Sequence, residues 1–206
     1  MGNCHRQFSF YMILVSLPSY ICHNLNEQER LIFLDNEWHM KKLVVYFSRV
    51  GENSVNGEIE IIKKGFTEIL AEKIASSTGA AMYKIEPVEP YPFDYNECVK
   101  RSRKEDETGE KVPYLHPLPS LDEYDVIYLG FPCWWRTYPR VVASFISDHK
   151  FVGKTIYPFC TNEEGSLGLA EMELKGAARG AIIKPGFACK GSEVNNIDDK
   201  LQAWMK

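Results

Sequence analysis

Residues Tyr124 to Pro139 read YDVIYLGFPCWWRTYP, and more of the architecture follows from them than from any other stretch. Val126 to Leu129 is an uninterrupted apolar run of β-branched, aromatic and aliphatic residues, the pattern of a strand covered on both faces in a parallel sheet. Gly130 ends the run, and a loop with two adjacent indoles, Trp134 and Trp135, follows at once. Ligands of open α/β sheets bind just beyond the carboxyl ends of the strands. Two large flat side chains at that place either wall a planar ligand or plug a core or subunit contact, and this stretch alone leaves both readings standing.

Working outward, the flanking sequence alternates short apolar runs with amphipathic helical patterns. Leu43 to Phe47 reads as a first strand, Thr67 to Ser77 as a helix with Ile69, Leu70, Ile74 and Ala75 at helical spacing, and Ala81 to Glu86 as a second strand. Asp94 is placed to cap a helix through Tyr95, Cys98 and Val99. Residues 107–120, with Gly109 and three prolines, read as a loop. Helices are expected over Arg140 to Asp148, around Leu169 to Leu174 and from Glu193 to Trp204. Strands are expected over Thr155 to Phe159 and from Ala181, the last interrupted by Pro185-Gly186. Such alternation implies one parallel sheet with right-handed crossovers, without a second domain or an internal repeat.

The 206-residue chain is 45% hydrophobic and 25% charged, with a formal charge of −4, an ordinary globular profile that argues against nucleic acid and anionic membranes as partners. The basic group Lys100, Arg101, Arg103 and Lys104 faces Glu105, Asp106 and Glu107, as on a solvated helix face. Six dispersed cysteines show neither C-x-x-C nor zinc spacing and read as reduced thiols of a cytoplasmic protein. Cys133 and Cys160 fall at or just after strand ends near the expected ligand edge, although small buried hydrophobes account for both.

Residues 1–39 have a different texture: three of the five histidines, two of the six cysteines, and an apolar run from Phe8 to Leu17 too short to span a bilayer. No small-x-small cleavage site follows that run, and Arg6 stands where myristoylation needs Ser or Thr. The expected division is an N-terminal extension over 1–39, upstream of a start at Met40, and one domain over 40–206.

Three loops converge on the same sheet edge. The first strand ends at Ser48, followed by Arg49 and a polar stretch, Val50 to Lys64, before Gly65-Phe66-Thr67-Glu68 opens a helix. A hydroxyl at the strand end and free amides at the helix start favour a phosphate, although a plain N-cap by Thr67 explains that segment taken alone. The third strand delivers the tryptophan loop. The fourth delivers Cys160-Thr161-Asn162-Glu163-Glu164-Gly165-Ser166. Together they offer a phosphate cradle, an aromatic wall and a polar rim.

In these residues the chain resembles the bacterial flavodoxin-like oxidoreductases marked by strand-Gly-Tyr/Phe-Pro-x-Trp-Trp. The matching pieces are Tyr46-Phe47-Ser48, Glu86-Pro87, Tyr91-Pro92, Tyr95-Asn96-Glu97-Cys98, Gly130-Phe131-Pro132-Cys133-Trp134-Trp135, and Phe151 to Thr161, covering the chain from Met40 onward. The resemblance implies a flavodoxin-like, doubly wound five-stranded parallel sheet of order 2-1-3-4-5, helices on both faces, and noncovalently bound FMN. Carried over, Ser48, Gly65, Phe66 and Thr67 fall at the phosphate, with Arg49 and Asn53 as added contacts. Pro132, Cys133, Trp134 and Trp135 fall at the isoalloxazine, with Thr161, Gly165 and Ser166 at its far edge. The chain departs from the family at Phe66, where Asn is usual, at Arg136, where Gly is usual, and in the long insertion Val50 to Lys64.

What the resemblance implies for function is flavin redox chemistry with no protein nucleophile and no metal. The chain would be a carrier docking a redox protein or an enzyme passing electrons from NAD(P)H to a quinone-like acceptor; a homodimer is compatible with either. The acidic surround and the indoles would lower the flavin potential. The alternative is a flavin-free binding module, kept open by Phe66 and Arg136. Other motifs fail on inspection. Gly153-Lys154-Thr155 lacks the earlier glycine of a Walker A loop and precedes a strand. Ser48-Arg49 stands where a receiver domain needs acids, Cys133 and Arg140 miss the phosphatase spacing, and His116 and His149 are isolated.

Overall fold

A computed structural model describes residues 40–118 and 120–205; the expectations for residues 1–39 lie outside the described residues. Its strands and helices are, in chain order, β1 (Lys42–Tyr46), β2 (Gly51–Val55), β3 (Glu58–Ile62), α1 (Phe66–Thr78), β4 (Ala81–Lys84), α2 (Tyr95–Thr108), β5 (Val126–Pro132), α3 (Arg140–Asp148), β6 (Thr155–Asn162), α4 (Ala170–Ala177), β7 (Ile182–Ile183), β8 (Phe187–Lys190) and α5 (Asp198–Trp204). A 3-10 helix, Gly191–Asn196, joins β8 to α5.

The sheet runs β4-β1-β5-β6, and β7 and β8 both pair with β6 along its outer side. Every pairing in it is parallel. β7 and β8 are two pieces of one edge strand, broken at Pro185-Gly186 as the sequence indicates. Counting that broken strand as one gives the order 2-1-3-4-5. The apolar runs are continuous because alternate residues serve opposite layers. Leu43, Val45, Ile127, Leu129 and Phe131 join Val141, Val142 and Phe145 of α3 and Leu174 of α4. Val44, Tyr46 and Tyr128 join Leu70 and Ile74 of α1 and Leu201 of α5.

The strand β5 extends three residues beyond the expected Leu129. Its register with β6 continues through Gly130↔Phe159 to Pro132↔Thr161. Gly130 permits this, because a Cβ there would lie 2.1 Å from the Phe159 ring. The tryptophan loop therefore starts farther out along the edge than the apolar run alone suggests.

The stretch after β1 departs most from expectation. Residues 51–62 form an antiparallel hairpin, β2–β3, instead of an irregular polar loop. Its two-residue turn is Asn56-Gly57, both left-handed at φ 53° and 89°. That is the Asn-Gly chemistry a type I′ hairpin requires. Its tip reaches the loop after β6, where the Asn56 amide donates to Glu163 Oε2 at 2.6 Å.

Candidate functional site

A cleft of about 540 Å³ opens at the carboxyl edge of the sheet. Of the sequence-derived candidates, Ser48, Arg49, Asn53, Phe66, Thr67, Pro132, Cys133, Trp134, Trp135, Thr161 and Ser166 all line it. Gly65 and Gly165 do not appear on its surface. Gly65 lies under the loop after β1, where a Cβ would fall 2.1 Å from Ser48 Oγ and 2.6 Å from the Arg49 carbonyl. Gly165 turns at φ 64° beside Lys190.

The N-terminus of α1 forms one end of the cleft. Gly65 is its N-cap and supplies no side-chain bond. Ser48 caps from across the loop instead, its Oγ accepting from the Glu68 amide at 3.1 Å. This corrects the reading of Thr67 as the cap. Thr67 is buried in the first turn, and its hydroxyl meets that of Thr161 at 2.7 Å. Among the described residues the amides of Phe66 and Thr67 have no acceptor. Unpaired N–H groups at the positive end of a 13-residue helix form an anion site. The Phe66 ring lies against Gly191, where even a Cβ would fall 2.3 Å from it.

Arg49 lines the cleft, but its guanidinium serves the protein. It is 9% exposed and donates to the carbonyls of Pro92 (2.6 Å from Nη2), Phe93 (2.8 Å) and Asp94 (3.3 Å), and to that of Glu52. This ties the hairpin and the start of α2 to the end of β1. Asn53 donates to the Gly51 carbonyl at 3.1 Å within the hairpin.

The opposite wall is aromatic. Trp134 and Thr137 bridge through paired backbone bonds of 2.9 Å. Between them Trp135 and Arg136 adopt φ 52° and 69°. Two bulky residues in the left-handed region carry strain of order 1–3 kcal/mol each. The Arg136 carbonyl is held by the Leu169 amide at 2.6 Å, and Gly168 leaves room for that approach. Trp134 meets Phe47 and Tyr91 edge-on at 5.6 and 5.0 Å. Trp135 donates from Nε1 to Ser102 Oγ at 3.2 Å, with the Arg103 guanidinium 4.4 Å from its ring centre.

The basic stretch of α2 is thus more than a solvated face. Arg103 supports the wall. Arg101 lies 4.4 Å over the Tyr91 ring and bonds at 2.8 Å to the buried Glu105, which also accepts from the Tyr91 hydroxyl at 2.6 Å. Burial, then this bond, pushes the Tyr91 phenol far up.

The floor holds two thiols. Cys133 is half-buried beside the cleft; Cys160 is buried, its Sγ 3.3 Å from the Ser166 carbonyl. The neighbouring Cys160 thiol lowers the Cys133 pKa against the effect of burial, helped by Asn162 and Arg136. Cys133 in turn, with burial, pushes Cys160 far up.

Asn162, Glu163 and Glu164 of the expected polar rim also line the cleft, and residues the sequence reading missed join them: Ser54 and Ile62 of the hairpin, Tyr95 at the start of α2, Gly168 after β6 and Gly191 of the 3-10 helix. The Asn56-Gly57 signal would have pointed to Ser54 and Ile62. Lys154, of the discarded Walker-like triplet, is buried and donates to the Tyr124 carbonyl at 2.6 Å. His149 stacks on Phe145 at 4.2 Å. Among the described residues no group of acids, thiols and imidazoles could hold a metal, and no helix is long and apolar enough to cross a membrane.

Comparison with known proteins agrees with this architecture. A flavodoxin family model matches residues 41–206. The structure of a protein of Bacteroides uniformis designated a flavoprotein is 30% identical; the match covers 79% of this chain and 98% of that one, with a TM-score of 0.62. A similarly designated protein of Bacteroides eggerthii is 28% identical over 79% and 98%, with a TM-score of 0.59. A Lactobacillus acidophilus flavoprotein solved in complex with FMN shares the fold at 17% identity over 81% and 99%, with a TM-score of 0.53. Among curated proteins, none matches. By the family match over most of its length, the chain belongs to the flavodoxin family.

Proposed function

We propose that this chain is an FMN-dependent redox protein that carries electrons or reduces a quinone-like acceptor at the expense of NAD(P)H. The observation that carries this reading is a single cleft with an anion site at one end and two indoles at the other. Family membership supports it. The cleft also falls within the 300–1,000 Å³ span of small-molecule sites.

In this reading the amides of Phe66 and Thr67 take the phosphate oxygens, assisted by the Ser54 hydroxyl on the hairpin. Trp134 and Trp135 flank the ring and keep water from it, while Pro132 and Thr161 bound its inner edge. The flavin supplies the electron-transfer chemistry when bound; the protein sets its orientation and electrostatics. Glu163 and Glu164 make the rim negative, which disfavours added charge on a reduced ring. Arg136 stands on the same rim with the opposite sign.

Titration of the chain with FMN tests the reading. Flavin fluorescence should be quenched, and the visible flavin bands should follow the protein through gel filtration. A colourless protein that leaves the fluorescence unchanged refutes it. Trp135→Ala should weaken binding more than Cys133→Ala, and equal losses would remove the indole from the wall. Oxidation of NAD(P)H with a quinone acceptor then separates reductase from carrier.

A further inference from the structure

The β2–β3 hairpin spans the cleft from the end of β1 to the loop after β6, and its two ends are held by ties of different kind. At the base, the buried Arg49 guanidinium binds the Glu52 carbonyl to those of residues 92–94. Glu52 adds two bonds of 3.0 Å, donating from its amide to the Phe93 carbonyl and accepting the Tyr95 amide on Oε2. At the tip there is the bond from the Asn56 amide to Glu163 Oε2, and it lies in solvent. Among the described residues, 53–62 make no other hydrogen bond outside the hairpin. Val55 beside it is buried, so the tip is seated. The side of the cleft that receives it is fixed. Asn162 donates from Nδ2 to the Ser166 carbonyl at 2.7 Å and accepts the Ser166 amide on Oδ1 at 3.2 Å, which staples the loop carrying Glu163.

From this asymmetry we propose that β2–β3 is a strap, hinged at its base and latched on Glu163, that lifts to let a ligand enter or leave the cleft. The proposal rests on the FMN reading for the identity of that ligand and not for the motion.

A two-stranded hairpin is marginal in water by itself, so its closed position depends on what holds its ends. The buried cluster around Arg49 opens rarely, whereas an amide–carboxylate bond in solvent exchanges readily for bonds to water. Opening therefore begins at the tip. Gly51, at φ 98°, and the exposed pair Lys63-Lys64 flank the hairpin and can absorb the rotation. Asn53, Ser54 and Ile62 line the cleft and move with the strap.

The latch has a kinetic signature. A ligand passes only while the strap is lifted, so a larger open fraction speeds entry and departure together and leaves affinity nearly unchanged. A purely electrostatic role for Glu163 predicts otherwise: losing a rim carboxylate would speed entry of an anionic phosphate ester and slow its departure. Glu164 carries the same charge and lines the same cleft, but it has no hydrogen bond among the described residues. It is the control.

The test compares the wild type with Glu163→Ala, Glu163→Gln and Glu164→Ala. FMN association is followed by stopped-flow quenching, and dissociation by dilution of the loaded chain. Glu163→Ala should raise both rates about fivefold or more, the worth of one ordinary hydrogen bond, while Kd moves less than either. Glu163→Gln keeps an acceptor oxygen and should fall between. Glu164→Ala should leave dissociation no faster. In a second arm without flavin, deuterium exchange at the amides of residues 53–60 other than Asn56 should be faster in Glu163→Ala than in the wild type or Glu164→Ala. Unchanged or slower dissociation in Glu163→Ala, or equal acceleration in Glu164→Ala, overturns the strap. Should the chain take up no FMN, the FMN reading fails and the exchange arm decides alone. Equal exchange in all variants then overturns the strap, and acceleration confined to Glu163→Ala upholds it.

Discussion

Replacing Arg49 by alanine should be among the most costly single changes in this protein, although nothing about its position in the sequence marks it as structural. Its guanidinium satisfies the carbonyls of Glu52, Pro92, Phe93 and Asp94 at once, from a site 9% exposed. Hydrogen bonds to a charged donor are each worth about 1.5–3 kcal/mol. The bonds from Nη2 to Pro92 and Phe93, at 2.6 and 2.8 Å, have the best geometry, and that to Asp94 is long. Counting two strong bonds in full and letting water replace the rest gives a loss of about 3–6 kcal/mol, a large share of the 5–15 kcal/mol that holds a typical domain together. Lysine should rescue little, because a single ammonium cannot reproduce the fork. The assay is urea unfolding of the wild type, Arg49→Ala and Arg49→Lys, followed by tryptophan fluorescence. The midpoint should fall strongly in both variants with little change in slope. The released segment carries Tyr91, which braces Trp134 at 5.0 Å, so the variants should also bind FMN more weakly. A loss under about 1 kcal/mol, the level of an ordinary surface ion pair, would refute the clamp.

Other expectations concern the layers beneath the cleft. Thr161→Val should destabilise by about 1–3 kcal/mol by stranding the Thr67 hydroxyl, whereas the double valine variant should recover most of that loss; additive effects in a double-mutant unfolding cycle would show that the pair is not coupled. Gly130→Ala should cost about 1–3 kcal/mol or more through overpacking against Phe159, read as a fall in melting temperature. Burial pushes the phenols of Tyr128 and Tyr138 up to about 12 from an ordinary 10. An unfolded chain releases those protons first, so their contribution is complete below pH 10 and is lost between pH 10 and 12. Melting temperatures across that window should fall in step with phenolate absorbance, and a flat profile would contradict the burial of these two rings.

The order of the sheet was legible because an apolar strand buried on both faces, repeated between helical patterns, admits few topologies. The Trp134-Trp135 loop was legible for the same reason: its place follows from the strand before it. Arg49 was not, because its identity as a cation suggested a phosphate while its partners are carbonyls more than forty residues away. Local sequence cannot show such bonds. The hairpin is a different kind of omission. Asn56-Gly57 between alternating residues is a strong local signal, hidden by the polar character of Gly51 to Ser54 and by the expectation of a loop. Missing it also hid Ser54 and Ile62 from the cleft.

The turn at Trp135 and Arg136 has a consequence for motion. Its left-handed residues are held by a bond from the start of α4, where the Leu169 amide meets the Arg136 carbonyl. The Thr137 hydroxyl extends the same link to Glu173 of α4 at 2.5 Å. A strained turn relaxes once its restraint is gone, so unravelling of this short helix and release of the indole loop are one event. Backbone amides at 134–137 and 169–174 should therefore exchange with deuterium as a cooperative unit, at an opening free energy below that of β5 and β6. The residues that meet a ligand would then owe their rigidity to a helix that never touches it.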